Sequence, residues 1–217
     1  MKKLIPLLLA VCLLITPMMG KVFADDQVQA VIPDSFPQAD TTDIVFSAGS
    51  VPADSALLDG IQLPIHALML SMTEHEQCYD IQSPDFVWTG LYYALSMYGE
   101  ADDRAQLTQD ALLLPSESVY DFARALFAQL EKLPQIPAPL TGFINYETTT
   151  DIYRLSLGDF AQTQLLLGEL APQADGSFVL DGTLNALEDS TPLCSFRVIL
   201  QENDTMFGFS VVDVSLD

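Results

Sequence analysis

The spacing of hydrophobic residues changes once along this chain, and this change constrains the fold more than any other feature. Before a proline-rich stretch at residues 133–140, hydrophobic residues recur three and four positions apart, as they do in helices. After residue 141 they alternate with polar residues, which is typical of half-buried strands. Helices followed by strands predict an α+β fold, with three helices packed on a twisted antiparallel meander sheet of four to five strands.

Two of the three predicted helices precede residue 100. The first covers about residues 64–76, where four hydrophobic residues share one face: Ile65, Leu68, Met69 and Met72. The second has strong start signals in Ser83, an N-cap residue, and Pro84 at the first helical position. It is predicted to end at Gly99 in a left-handed conformation, while Gly90 in its middle predicts close approach of another element. Apolar residues cover most of its circumference, so it should be the most buried helix.

The third helix is predicted to start with Ser116 as N-cap and to end before Pro134. Its hydrophobic residues form one continuous face: Val119, Phe122, Ala123, Leu126, Phe127 and Leu130. Asp121 and Arg124, three positions apart, are expected to form a surface pair. The stretch LPQIPAPL that follows predicts an extended connector.

Alternating hydrophobic residues predict the strands that follow this connector. The pattern also allows one strand around Tyr153, and Asp175-Gly176 is typical of a hairpin turn. Each strand has one hydrophobic and one polar face, so one side of the sheet should face solvent. The predicted meander has four strands, at about residues 162–171, 177–187, 193–201 and 206–216.

The first 24 residues resemble a secretory signal, because two lysines precede a long apolar run and small residues stand near Ala24. Cleavage there would leave a flexible acidic leader at residues 25–55. Lipidation at Cys12 and retention as an uncleaved membrane anchor are the alternatives. The rest is predicted to be a single domain, residues 56–217, with a helical part (56–132), the connector (133–140) and a sheet part (141–217).

The balance of charge excludes several functions. The chain has 30 acidic and 8 basic residues, a net charge of −22. Nucleic-acid binding needs clustered lysine and arginine, and an anionic membrane surface would repel this chain. At 49% hydrophobic and 18% charged residues, the sequence predicts a folded protein. No insertion into a membrane is expected once the signal is cleaved.

Two cysteines, Cys78 and Cys194, follow the signal segment. In an extracytoplasmic compartment they could form a disulfide that closes a loop of more than a hundred residues. Two free thiols that pack as small hydrophobic side chains are the alternative.

Three stretches carry a family resemblance: FVWTGLYYALSMYG, VYDFARALFAQLEKLP and YRLSLGD. Together they resemble a group of uncharacterised secreted or lipid-anchored proteins of Gram-positive bacteria. The resemblance covers about residues 60–216 and rests on packing motifs. It implies an extracytoplasmic α+β domain and identifies no functional residue.

No set of residues predicts a catalytic site, a metal site or a cofactor. His66 and His75 are nine positions apart and point to opposite sides of a continuous helix, so they cannot share a metal. A Cys-His pair formed by Cys78 and His75 would be the only candidate nucleophile. A carboxylate pair could support hydrolysis, but thirty acidic residues make such pairs common by chance. Weak calcium binding is expected at most, because no calcium-loop motif occurs.

The aromatic residues of the second helix are the best candidates for ligand binding. Trp88, Tyr92 and Tyr93 could stack on a sugar or an apolar ligand if they line an open cleft. The sequence therefore favours a secreted, non-enzymatic binding or interaction domain whose partner is a protein, a peptide or a glycan. An extracytoplasmic hydrolase that uses a carboxylate pair or the His75-Cys78 neighbourhood is the alternative, and a surface-tethered spacer is a third hypothesis.

Mass spectrometry of the exported protein tests the predicted signal. We expect the mature chain to begin at Asp25, because the small residue Ala24 precedes it at the predicted cleavage position. A mature chain that begins with a lipidated Cys12, or that retains Met1, would contradict this prediction.

Overall fold

The structure is a computed structural model that describes residues 55–217, with side chains from Gly60 onward. The predicted signal and leader, together with Cys12, lie outside the described residues. Short 3₁₀ turns occur at 99–101 and 140–142. The regular elements are α1 (Ser55–Glu74), α2 (Pro84–Tyr98), β1 (Gln106–Leu107), β2 (Leu112–Pro115), α3 (Ser116–Leu126), β3 (Ile144–Glu147), β4 (Ile152–Leu155), β5 (Thr163–Pro172), β6 (Phe178–Ala186), β7 (Pro192–Glu202) and β8 (Phe209–Leu216).

The start of α2 is confirmed, but the predicted conformation at its end is wrong. Ser83 Oγ accepts a hydrogen bond from the backbone N–H of Phe86, and Pro84 occupies the first turn. Gly99 has φ −59°, which is right-handed, and the chain continues into a 3₁₀ turn. A Cβ atom at Gly99 would lie 2.6 Å from Leu112 Cδ2, so glycine is needed here for space. Gly90 does allow close approach, since its Cβ would lie 3.2 Å from Leu68 Cδ1 of α1.

The bounds of α1 and α3 differ from those predicted. Helix α1 begins nine residues earlier than predicted, at Ser55, and therefore has Pro64 in its interior. Helix α3 ends at Leu126, whose carbonyl accepts a hydrogen bond from the Tyr79 hydroxyl at 3.1 Å. The N–H of Ala128 then donates to the Val211 carbonyl of β8. Helix α3 ends earlier than predicted because the chain after it pairs with the edge of β8. The spacing of hydrophobic residues along the helix does not record this contact.

The structure confirms the α+β class, but it contains two antiparallel four-stranded sheets where one sheet was expected. The second sheet has the order β5-β6-β7-β8 and is the predicted meander. The first sheet has the order β1-β2-β4-β3, and it takes the strand predicted around Tyr153. Leu112–Pro115 pairs with β4 and runs directly into α3. Its sequence, LLLP, has no alternation of hydrophobic and polar residues, so the spacing does not predict this strand.

One hydrophobic core joins the helices to both sheets. Helix α1 lies against all four strands of the second sheet, and α3 lies against β2, β4 and β8. Helix α2 packs against both α1 and α3 and is buried at every position from Phe86 to Leu95. The largest fully buried side chains include Trp88, Phe122 and Phe127. Among the described residues, no helix is both long enough and apolar enough to cross a membrane.

An ion-pair network fixes the loop after α2 to α3. Arg104 contacts Asp102 at 2.6 Å and Asp121 at 2.7 Å, and the side chain of Asp102 is almost fully buried. Its hydrogen bonds to Arg104 lower the pKa of Asp102 to about 2. The predicted pair of Asp121 with Arg124 is thus replaced by the pair with Arg104, which approaches from the loop.

Gly182 in β6 provides a test of how closely the second sheet is packed. A Cβ atom there would lie 2.7 Å from the Leu166 carbonyl oxygen and would overlap the Phe196 ring. Because a strand backbone cannot move aside freely, Gly182→Ala should lower the free energy of unfolding by about 1–3 kcal/mol in urea denaturation. Gly142→Ala is the control, because its Cβ would have no neighbour within 4 Å. Equal stability of the two variants would contradict this account of the packing.

Candidate binding site

Trp88 forms the inner wall of the candidate site. It lies in the first half of α2, and only 1% of its surface is exposed. Its Nε1 donates a hydrogen bond to the Pro134 carbonyl at 2.8 Å, and this bond holds the proline-rich connector against the helix. Its ring centroid lies 5.9 Å from that of Tyr153 in β4. The buried tryptophan therefore positions both the connector and the first sheet.

The β3–β4 hairpin brings two tyrosines together beside Trp88. Tyr146 and Tyr153 are directly opposite each other in the strand register, and their rings stack with centroids 4.5 Å apart. The Tyr146 hydroxyl donates to Asp151 Oδ1 at 2.6 Å, and Ser116 Oγ donates to Asp151 Oδ2 at 2.7 Å. Asp151 has φ 59°, a left-handed conformation that suits an Asp in a tight turn. These bonds hold the Tyr146 ring in place.

The groups packed around Tyr153 and Asp151 shift the pKa values of both. Burial is the main cause that raises the pKa of Tyr153 to about 12, and Tyr120, Tyr146 and Asp151 raise it further. The hydrogen bonds from Ser116 and then Tyr146 lower the pKa of Asp151. Three phenols, from α3, β3 and β4, therefore lie near one another.

These side chains surround a cleft of about 410 Å³, within the range of small-ligand sites. We call it the aromatic cleft. Tyr120 and Tyr146 remain 38% and 37% exposed, so both rings are accessible at its rim. Among the described residues that line it, none is charged. The lining consists of Trp88, Tyr120, Tyr146 and Tyr153, of Leu133, Pro134, Ile136 and Ile144, and of Gln135, Thr141 and Asn145.

A second cleft, of about 600 Å³, lies between the end of α3 and the β7–β8 turn. We call it the charged cleft, because Arg124, Glu131, Glu202 and Asp204 line it. All four side chains are exposed to solvent. Ser210 Oγ donates to the Arg124 carbonyl, so the polar groups at its base connect the β7–β8 hairpin to α3. Among the described residues, no group of three His, Cys, Asp or Glu side chains is arranged to hold a metal.

The structure separates the three predicted aromatic residues. Trp88 lines the aromatic cleft, whereas Tyr92 and Tyr93 do not. The Tyr92 hydroxyl donates to the Ser156 carbonyl at 2.9 Å, and the ring of Tyr93 packs against Phe160 with centroids 4.4 Å apart. Both tyrosines are less than 10% exposed.

His75 and Cys78 both lie at the surface beyond the end of α1, and they are not joined by a hydrogen bond among the described residues. His75 Nε2 lies 3.1 Å from the Tyr93 hydroxyl oxygen, and that hydroxyl donates to Glu74 Oε2 at 2.5 Å. Burial and the bond to Glu74 raise the pKa of Tyr93. The imidazole therefore contacts a phenol and not the thiol.

Both cysteines are free thiols in this structure. Cys78 is exposed, whereas Cys194 is partly buried with its Sγ 3.2 Å from Thr73 Oγ1. No disulfide is seen among the described residues, and the pairing of Cys78 with Cys194 stays a prediction.

The sequence interpretation missed Tyr120, Tyr146 and Tyr153. Tyr120 lies on the solvent side of α3, where position in the helix predicts no role. The one available signal was the stretch YETTTDIY, in which two tyrosines flank a polar turn. Interpreted as a hairpin, it would have placed Tyr146 opposite Tyr153.

The comparisons with known proteins add no functional residue. No family model matches this chain, and no curated protein matches it.

His66 provides a pH-dependent test of the contact between the helices and the second sheet. Its Nδ1 contacts the Tyr98 hydroxyl and its Nε2 lies 2.7 Å from Thr163 Oγ1. Burial lowers the pKa of His66 below its ordinary value of 6.5. As the pH falls below about 6.5, the unfolded chain takes up a proton that the folded chain resists, so stability should decrease.

Urea denaturation from about pH 7.5 to about pH 5.5 measures this effect. His66→Gln should lose the part of the pH dependence that comes from His66. His75→Gln is the control, because it leaves His66 in place. If His66→Gln and the unmodified protein had the same pH dependence, burial of His66 would not contribute to the pH dependence of stability.

Proposed function

We propose that this chain is an extracytoplasmic, non-enzymatic binding domain whose binding site for an uncharged ligand is the aromatic cleft. The predicted secretory segment supports the location. The observation that carries the proposal is the rigid, partly exposed tyrosine at the rim of a cleft without charged lining residues.

The order of the Tyr146 ring supports binding. A side chain that is immobilised before the ligand arrives loses little conformational entropy in the complex. Tyr146 meets this condition, because Asp151 anchors its hydroxyl and Tyr153 supports one face of its ring. Its exposed surface remains available for a ligand.

The uncharged lining supports an uncharged ligand. A buried charge on a ligand is costly unless a group of opposite charge pairs with it. The described lining of the aromatic cleft offers amides and hydroxyls but no lysine, arginine or carboxylate. The surrounding chain carries a net charge of −22, so an anionic ligand is also repelled at long range.

Trp88 gives a direct test, because it is the sole tryptophan of the chain and it lines the cleft. An uncharged ligand in the aromatic cleft should change its fluorescence. The probes are neutral hexasaccharides and an acetylated, amidated hexaproline peptide, and their charged counterparts are oligogalacturonate and hexaglutamate. At least one uncharged probe should alter the emission, and Tyr120→Ala or Tyr146→Ala should weaken that binding by roughly fivefold or more.

Phe143→Ala is the matched control, because Phe143 is an aromatic residue that is 50% exposed and does not line the cleft. Its affinity should equal that of the unmodified protein. Binding of the charged probes alone, or equal binding by all three variants, would refute the proposal.

The alternative function is a hydrolase that uses carboxylates of the charged cleft or the His75-Cys78 neighbourhood. The three carboxylates that line one 600 Å³ cleft favour the first version. Turnover of nitrophenyl glycosides or peptides that Glu202→Gln or Glu131→Gln abolishes, but that Tyr146→Ala preserves, would support the hydrolase. A loss of turnover in Cys78→Ala would indicate the thiol.

A further inference from the structure

The polar groups of the aromatic cleft indicate which uncharged ligand it takes. Gln135 and Asn145 are exposed at its lining, and no hydrogen bond joins either side-chain amide to another described residue. Each amide offers both a donor and an acceptor. A sugar hydroxyl, which donates and accepts at one atom, matches either group of such an amide.

The exposed tyrosine rings match a second property of sugars. A pyranose ring presents a face of C–H groups that is apolar and carries partial positive charge. An aromatic ring has a negative face, so the two faces attract as they pack. Tyr146 has one face stacked on Tyr153 and keeps part of its ring exposed at the rim, and Tyr120 offers a second ring from α3.

Two of the donors that could bind a proline-rich peptide are already used. Aromatic grooves that bind such peptides donate hydrogen bonds to their carbonyls from tryptophan and tyrosine. Here Trp88 Nε1 donates to Pro134, and the Tyr146 hydroxyl donates to Asp151. The indole N–H of Trp88, which an external peptide would need as a donor, is therefore already bonded to the connector.

We infer that the aromatic cleft binds a neutral hexopyranose oligosaccharide, with one sugar ring stacked on Tyr146 and hydroxyls bonded to Asn145 and Gln135. This inference rests on the proposed function, since it names the ligand class of the same site. Tyr120 provides the second stacking surface, so a chain of several sugars binds better than a monosaccharide.

Isothermal titration and Trp88 fluorescence test the inference on the full exported protein. The probes are neutral hexasaccharides of glucose in α-1,4 and β-1,4 linkage and of N-acetylglucosamine, with oligogalacturonate and capped hexaproline as comparisons. At least one neutral hexasaccharide should bind, and more tightly than its monosaccharide. Tyr146→Ala and Tyr120→Ala should each weaken binding by roughly fivefold, and Asn145→Ala by a few-fold.

Tyr146→Phe separates stacking from hydrogen bonding. It keeps the ring and its stacking on Tyr153 but removes the bond to Asp151, so affinity should fall less than in Tyr146→Ala, by roughly threefold at most. A loss as large as that of Tyr146→Ala would overturn the stacking arrangement. Phe143→Ala should bind normally, and circular dichroism of each variant confirms that it is folded.

The outcomes distinguish this inference from the proposed function. Hexaproline binding that depends on Tyr146, without binding of any hexasaccharide, overturns the inference and supports the proposed function. Hexasaccharide binding that neither tyrosine variant weakens overturns both, because the ligand then lies elsewhere. No binding of any probe also overturns both.

Discussion

The burial of α2 on all sides is the constraint on which the rest of the structure depends. Ten consecutive residues, Phe86 to Leu95, are buried, so the polar atoms of its large aromatic side chains need partners inside the protein. Trp88 finds one in the connector, Tyr92 in the loop after β4, and Tyr93 at the end of α1. Each hydrogen bond holds a distant segment against α2, and these segments shield the helix from solvent.

The aromatic cleft follows from this arrangement. The hydrogen bond from Trp88 fixes the connector on one side, and the contact of Trp88 with Tyr153 fixes the first sheet on the other. Aromatic rings, aliphatic side chains and amides from these segments line the space between them. Asp151, the carboxylate nearest to Tyr146, uses both oxygens for hydrogen bonds to Tyr146 and Ser116. The carboxylate of Asp151 therefore serves to position the Tyr146 ring.

The two clefts differ in the chemistry they can support. The charged cleft places exposed carboxylates and one arginine around open solvent, where water screens each charge. The aromatic cleft has rings held in fixed orientations and no charged group among its described lining residues. Binding requires a fixed shape and satisfied polar groups, whereas acid-base catalysis requires titrating groups beside the reacting atoms. The aromatic cleft therefore fits recognition better than turnover.

The sequence alone determined the elements whose signals are local. Ser83 and Pro84 set the start of α2 through their own backbone preferences, and alternation along strands of 8 to 11 residues set the meander from β5 to β8. The first sheet, apart from its strand around Tyr153, and the site were decided only by tertiary structure. Strand β2 has the sequence LLLP, which shows no alternation of hydrophobic and polar residues. Tyr120, Tyr146 and Trp88 come from separate segments, so packing around α2 brings them together and no spacing in the sequence records it.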